Sequence, residues 1–241
     1  MPTSNYYKGL TLLEMTLVLL ISSILLAGLI SPLQTQIQLQ HHKTTEQRQQ
    51  HAIEALIGFA MIHARLPCPA DATLAIGITG AGEEARTDGE CDSAVGVLPW
   101  VDLGIEALDG WQRRFTYRVT PNFADDDPAS DAACQQQHLG VSFALCSKGN
   151  LHINSRKTGG YKLAKDLPAV IISHGKNGDG AYLDSGIQYL LANHDIDEEQ
   201  NFKKQVNFVD ARLDNAKFDD LVAWLAPNIL AYRLVQAGVL P

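Results

Sequence analysis

Lys8-Gly9-Leu10-Thr11-Leu12-Leu13-Glu14 opens directly into an apolar run that lasts to Leu33, and that stretch decides the fold. Leu10 to Leu33 is 24 residues with Glu14 as the sole charge. At about 1.5 Å of rise per residue, a helix of that length reaches about 36 Å, enough for the ~30 Å hydrocarbon core of a bilayer with some tilt. The stretch therefore predicts a spanning helix with one carboxylate near its start. An ionisable group in such a segment costs about 2.5–3.5 kcal/mol on insertion scales and marks a functional position by default. The simpler account is a plain signal anchor with a stray Glu at its end, tolerated because the side chain leans toward the headgroups.

An ordinary secretory signal places its small-residue cleavage site after the apolar core. Here the order is reversed: a polar leader, residues 1–9, comes first, and Gly9 sits at its junction with the apolar run. Gly9-Leu10-Thr11-Leu12-Leu13-Glu14 resembles the class III leader and N-terminus of type IV pilins and type II secretion pseudopilins, over about 25 residues of the chain. The resemblance implies cleavage after Gly9 by a membrane prepilin peptidase and N-methylation of the new first residue, Leu10. It also implies use of Glu14 during assembly, where the amine freed at Leu10 of one subunit offsets the carboxylate of its neighbour. Two positions depart from the pattern: Leu10 stands where phenylalanine is commonest, and Ser22-Ser23 lies mid-span. Pro32 falls close to where many pilins carry a helix-kinking proline. The hydrogen bond a proline removes predicts a bend or loosened turn near Gly28 to Pro32.

The residues beyond Pro32 argue against an end to the helix there. Ile37, Ile53, Leu56, Ile57, Ala60, Met61 and Ala64 recur at helical spacing, and Gln34, Gln36, Gln38, Gln40, His41, His42, Lys43, Glu46, Arg48 and Gln49 fill the polar positions. Pro67 and Pro69 stop the pattern. The expectation is one helix of about 80 Å, apolar all round over residues 10–33 and one-faced over 34–66. Residues 67–241 form the head. At 241 residues and 46% apolar content the chain can bury one real core. Residues 1–60 hold three basic and three acidic side chains, so the formal net charge of −8 lies beyond residue 60, essentially in the head. An acidic head is a poor match for phosphate backbones, which counts against nucleic acid as a partner. A local basic patch such as Arg113-Arg114 is compatible with that balance.

All four cysteines, Cys68, Cys91, Cys134 and Cys146, come after the apolar segment, which favours two disulfides. Three connectivities are open. Cys68 with Cys91 and Cys134 with Cys146 is favoured, because sequence neighbours close small loops, each stabilising by about 3 kcal/mol in the chain-entropy model. A zinc site is disfavoured, because no C-x-x-C occurs and no histidine pair has ligand spacing near a cysteine.

The head reads as α+β and pilin-like: a small antiparallel sheet on the apolar face of the long helix, with extra loops and short C-terminal helices. Pro69 to Val95 reads as an extended surface loop tied down by its cysteines. Leu108-Asp109-Gly110-Trp111 leads into a strand over Arg114 to Val119 and resembles the first sheet hairpin of pseudopilins, without the usual Trp-Gly pair. Val141 to Leu145, Leu151 to Asn154 and Ala169 to Ser173 are further strand candidates. Asn193 to Asn201 reads as a loop and Val206 to Val209 as an edge strand. Phe218, Leu221, Val222, Trp224 and Leu225 fit an amphipathic helical turn set, with Asp219 and Asp220 placed to suit the helix dipole. Pro227 opens a second short helix through Gln236, which Gly238 ends. The helix pair reads as closing the core, with a docking face for a neighbouring subunit as the competing account.

One Gly-rich loop, Ile172-Ser173-His174-Gly175-Lys176-Asn177-Gly178-Asp179-Gly180-Ala181, comes directly after a strand. A phosphate cradle would need Lys-Ser or Lys-Thr opening a helix, and Lys176-Asn177 does not supply it. A calcium loop needs several oxygen ligands, of which Asn177, Asp179 and Asp184 offer some. The loop resembles in position the calcium loop of major pseudopilins, without their acidic pattern. Ser173 and His174 would lie on opposite faces of a strand, which argues against a hydrolase pair. A tight structural turn is the plainest account.

The combined expectation is a minor pilin or pseudopilin of a type IV pilus or type II secretion system, a structural subunit that needs no catalytic residue and no required cofactor. Its implied partners are the prepilin peptidase, other pilin or pseudopilin subunits and inner-membrane lipid. Its implied place is the bacterial inner membrane with a periplasmic head, then a fibre. The alternative is a signal-anchored periplasmic binding module or enzyme that never assembles.

Overall fold

The computed structural model describes residues 11–126, 134, 141–203, 205–213, 215 and 217–240, with backbone alone over 26–32. The chain divides into two compact units, Met1–Gln40 and His41–Pro241. Helix α1, Leu12–His63, supplies the described part of the first unit and the opening of the second.

In the first unit every side chain from Thr11 to Leu25 is exposed, Leu12, Leu13, Leu19 and Leu25 each by more than 60%. The polar residues of this stretch turn inward on the helix itself: Thr16 Oγ1 donates to the Leu13 carbonyl and Ser23 Oγ to that of Leu20, both at 2.8 Å. Such back-bonding hides a hydroxyl from apolar surroundings. Among the described residues no helix is long and apolar enough to cross a membrane. The spanning segment expected at residues 10–33 is therefore not found among them. Helix continues through Pro32, so no helix end falls there.

In the second unit the helix buries one stripe: Thr45, Gln49, Ala52, Leu56 and Ala60 are each no more than 4% exposed. That spacing is one helical face, but two of its members are polar, and the apolar periodicity of the sequence includes neither. Gln49 is buried because its Nε2 donates to the Leu221 carbonyl at 2.7 Å. Thr45 is buried because its Oγ1 accepts the Gly110 N–H at 2.9 Å. The helix ends as Ala64 takes a left-handed φ of 57°, just before Pro67.

The head carries nine strands among the described residues: β1 Arg86–Thr87, β2 Glu90–Cys91, β3 Val95–Val97, β4 Thr116–Val119, β5 Leu151–Asn154, β6 Lys162–Leu167, β7 Ala169–Ser173, β8 Asn207–Val209 and β9 Leu221–Leu225. Between them lie short helices α2 Trp100–Leu103 and α3 Glu198–Phe202, and α4 Pro227–Gln236 closes the chain. Strands β3, β4, β7 and β9, in that order, form an antiparallel sheet. Strands β6, β5 and β8 form a second, in which β8 runs parallel to β5. The fold is thus α+β with the helix on a mostly antiparallel framework, and it has two main sheets where one was expected.

Strand β7 explains the second sheet. All five of its residues are buried. Ala169 and Ile171 join the cluster made with Leu56 and Ala60 of α1 and with Leu230 and Leu234 of α4. Val170 and Ile172 face the other way, onto Leu151, Ile153 and Phe208 of the second sheet. A run apolar on both faces needs a layer on each.

Four sequence expectations are corrected, and one open possibility, the Arg113-Arg114 patch, is closed. Phe218 to Leu225 is not a helix: β9 pairs with β7 over Ala169↔Leu225 to Ser173↔Leu221, and the β-branched and aromatic content of Leu221–Leu225 suits a strand. Val141 to Leu145 forms no strand and runs as irregular chain and turn, tied down where the Cys134–Cys146 bond closes. Residues 193–201 include the start of α3, and residues 69–95 hold the β1–β2 hairpin. Arg113-Arg114 is no basic surface: Arg114 is fully buried, its guanidinium donating to the carbonyls of Ala72 and Asp184. The favoured cysteine pairing is found, Cys68 with Cys91 and Cys134 with Cys146, at Cα separations of 5.3 and 5.4 Å.

Candidate functional site

Gly9 and Leu10 lie outside the described residues. Glu14 stands in the first turn of α1, exposed, and its bonds there are local. Its carboxylate accepts the Thr11 N–H at 3.3 Å and the Thr11 hydroxyl at 3.4 Å, while its own N–H donates to Thr11 Oγ1 at 3.3 Å. This is a capping box, in which Ser or Thr and an acidic residue three positions on satisfy each other's orphan donors. The Thr-x-x-Glu spacing was available in the sequence as a signal for it.

A second constellation lies where β7 ends and β9 begins. The antiparallel pairing sets Ser173 opposite Leu221, so the loop after β7 meets the residues just before β9. His174 is fully buried, its Nε2 2.8 Å from Thr116 Oγ1 and its Nδ1 3.8 Å from Asp220 Oδ1. Asp220 is fully buried as well, with Oδ2 accepting from Asn201 Nδ2 at 2.8 Å. Glu198, 1% exposed at the start of α3, accepts the Asp219 N–H at 3.0 Å and the Asn177 amide at 2.9 Å. Asp219 Oδ2 accepts the Asn177 N–H at 2.9 Å. One oxygen each from Glu198, Asp219 and Asp220 lies within 4.8 Å of the others. Asp219 Oδ1, Asp220 Oδ1 and His174 Nδ1 are buried without a hydrogen-bond partner.

Burial sets the electrostatics of this cluster. It pushes His174 down to about 4, so the imidazole is neutral at pH 7 and its approach to Asp220 is not an ion pair. Burial raises Asp220 well above the ordinary carboxylate value, and it raises Glu198 and Asp219 too, with neighbouring carboxylate charge adding to the rise at Asp220 and Glu198. Arg113 is the guanidinium beside Asp219, and its N–H groups donate to the carbonyls of Gly175 and Lys176.

The expected calcium ligands Asn177, Asp179 and Asp184 have other partners. Asn177 Oδ1 accepts the Asp179 N–H at 2.8 Å, a local turn bond. The Asp179 carboxylate is taken by the Leu191 N–H at 2.9 Å and by His194 Nδ1 at 2.6 Å. The Asp184 side chain is exposed, and its backbone carbonyl serves Arg114. Of the three, Asn177 is bonded within the cluster, to Glu198 and Asp219, and Asp179 acts on it by charge, at His174 and Asp220. Ser173 and His174 go separate ways, Ser173 Oγ donating to the buried Asp109 at 2.5 Å. Sequence spacing holds no hint that residues 174, 198 and 219–220 meet, because the β7–β9 register brings them together. Comparison with family models, with curated proteins and with solved structures returns no match.

Proposed function

We propose that this chain is a minor pilin or pseudopilin: a structural subunit processed after Gly9 by a prepilin peptidase, methylated at Leu10 and assembled into a fibre through its N-terminal helix. The observation that carries this reading is the segment Gly9-Leu10-Thr11-Leu12-Leu13-Glu14 opening a helix whose described side chains remain mostly apolar and exposed to Leu25. A contiguous apolar surface of that kind demands lipid or other subunits as its surroundings. The head supports the reading by supplying a disulfide-bonded α+β domain on the second half of the same helix, suited to an oxidising compartment.

Mass spectrometry of the mature N-terminus tests it, in a host with an active prepilin peptidase. The expected product begins at N-methyl-Leu10, and Gly9→Ala leaves the full-length precursor in the membrane. An intact Met1, or cleavage after the apolar run, would sink the reading and favour the anchored binding module. Glu14→Val is expected to be cleaved normally and to fail in co-purification with other pilin subunits.

A further inference from the structure

The carboxylates at the β7–β9 end pose a physical problem of their own, independent of the fibre reading. Glu198, Asp219 and Asp220 converge in a site where two of the three residues are almost wholly shielded from water. Bringing like charges together under burial is costly unless something positive sits among them. Arg113 meets part of that need at Asp219, and its guanidinium donates to the carbonyls of Gly175 and Lys176.

The cluster is built like a coordination sphere. Protein N–H groups orient the three carboxylates: Asn201 holds Asp220 Oδ2, the Asn177 backbone holds Asp219 Oδ2, and Glu198 is held at both oxygens, by the Asp219 backbone and the Asn177 amide. Such outer partners orient metal ligands. Asp220 Oδ1 is then left buried without a donor, and so is Nδ1 of the wholly buried His174, 3.8 Å away. The convergent oxygens are no more than 4.8 Å apart, comparable with the about 4.6–5.2 Å across a calcium ion at usual bond lengths. All four cysteines are in disulfides, so no thiolate is present to select a soft metal.

We propose that Glu198, Asp219 and Asp220, with the His174 imidazole beside them, hold one divalent cation of the hard, oxygen-seeking class: calcium, magnesium or manganese. The ion joins three segments far apart in sequence, namely the loop after β7, helix α3 and the entry to β9. It explains why the unpartnered oxygen and nitrogen lie side by side in a sealed site. It differs from a loop-borne calcium site in its ligands, since Asp179 and Asp184 take no part.

The test uses the full chain in mild detergent, stripped with chelator, then incubated with Ca2+ or Mn2+ alone and desalted. The expected result is one ion retained per chain and an unfolding midpoint raised by about 5–10 °C at hundredfold excess over Kd. Asp220→Asn and Glu198→Gln are each expected to weaken binding at least about tenfold. Unfolding of their ion-free forms, set against the ion-free wild type, separates lost binding from lost fold, because Glu198→Gln also turns an acceptor of the Asn177 and Asp219 N–H groups into a donor. Retention of Ca2+ and Mn2+ alike points to an all-oxygen shell, and retention of Mn2+ alone to imidazole ligation. Retention of neither, or equal retention by Asp220→Asn, would overturn the proposal and leave a polar cluster bridged by water.

Discussion

At His174 and Asp220 the same burial acts on two titrations in opposite directions. His174 is lowered to about 4 from 6.5, so the unfolded chain binds more protons between those values and this contribution to stability rises with pH across them. Glu198, Asp219 and Asp220 are raised, so the folded chain holds more protons than the unfolded one. Their contribution is full below the ordinary carboxylate range and lost as pH climbs, for Glu198 through about 7. Three carboxylates outweigh one imidazole. With chelator present, the urea midpoint is therefore expected to fall from about pH 5 to about pH 7.5. Glu198→Gln should shallow that fall and His174→Gln should steepen it. A wild-type midpoint that rises over this range would show that the carboxylates are ionised in the fold. Residue-level features were unevenly legible. Thr11-x-x-Glu14 is a local pattern, open to anyone scanning for caps. Gln49 is not, because nothing near it in sequence announces that Leu221 will offer it a carbonyl.

Among the elements, the contact between α1 and the Leu108–Trp111 turn is the tightest point to probe. A Cβ built on Gly110 would lie 2.2 Å from the His41 carbonyl oxygen and 2.8 Å from Thr45 Oγ1. Neither partner can retreat, since both belong to the helix backbone or are bonded to it. Gly110→Ala is expected to destabilise the head by about 2 kcal/mol or more, measured by urea unfolding. An effect under about 0.5 kcal/mol, the range of ordinary surface substitutions, would mean that the turn can shift. Elements with one strong period were readable: the helix over 41–63, strand β7 and helix α4 behind Pro227. Leu221–Leu225 misleads for a physical reason. Its apolar positions satisfy helical spacing and a doubly covered strand equally well, and only pairing with β7 decides between them. Val141 to Leu145 carries strand-like residues, but beside a disulfide it settles as turn and irregular chain.

For the head as a whole, layering is what the sequence announced least. Composition and length implied one core, and the second sheet is demanded only by β7 being apolar on both faces. The acidic charge and the paired cysteines were readable, because they depend on counts rather than on contacts. The doubly covered β7 has a further consequence for motion. Its amides are flanked by β4 and β9 along both edges and by packed layers on both faces. No partial opening exposes them, so hydrogen–deuterium exchange there must wait for the whole head to come apart. β7 is accordingly expected to be the slowest-exchanging strand, slower than β8 at the edge of the second sheet. Its exchange rate would then serve as an internal gauge of global stability, independent of the urea midpoint.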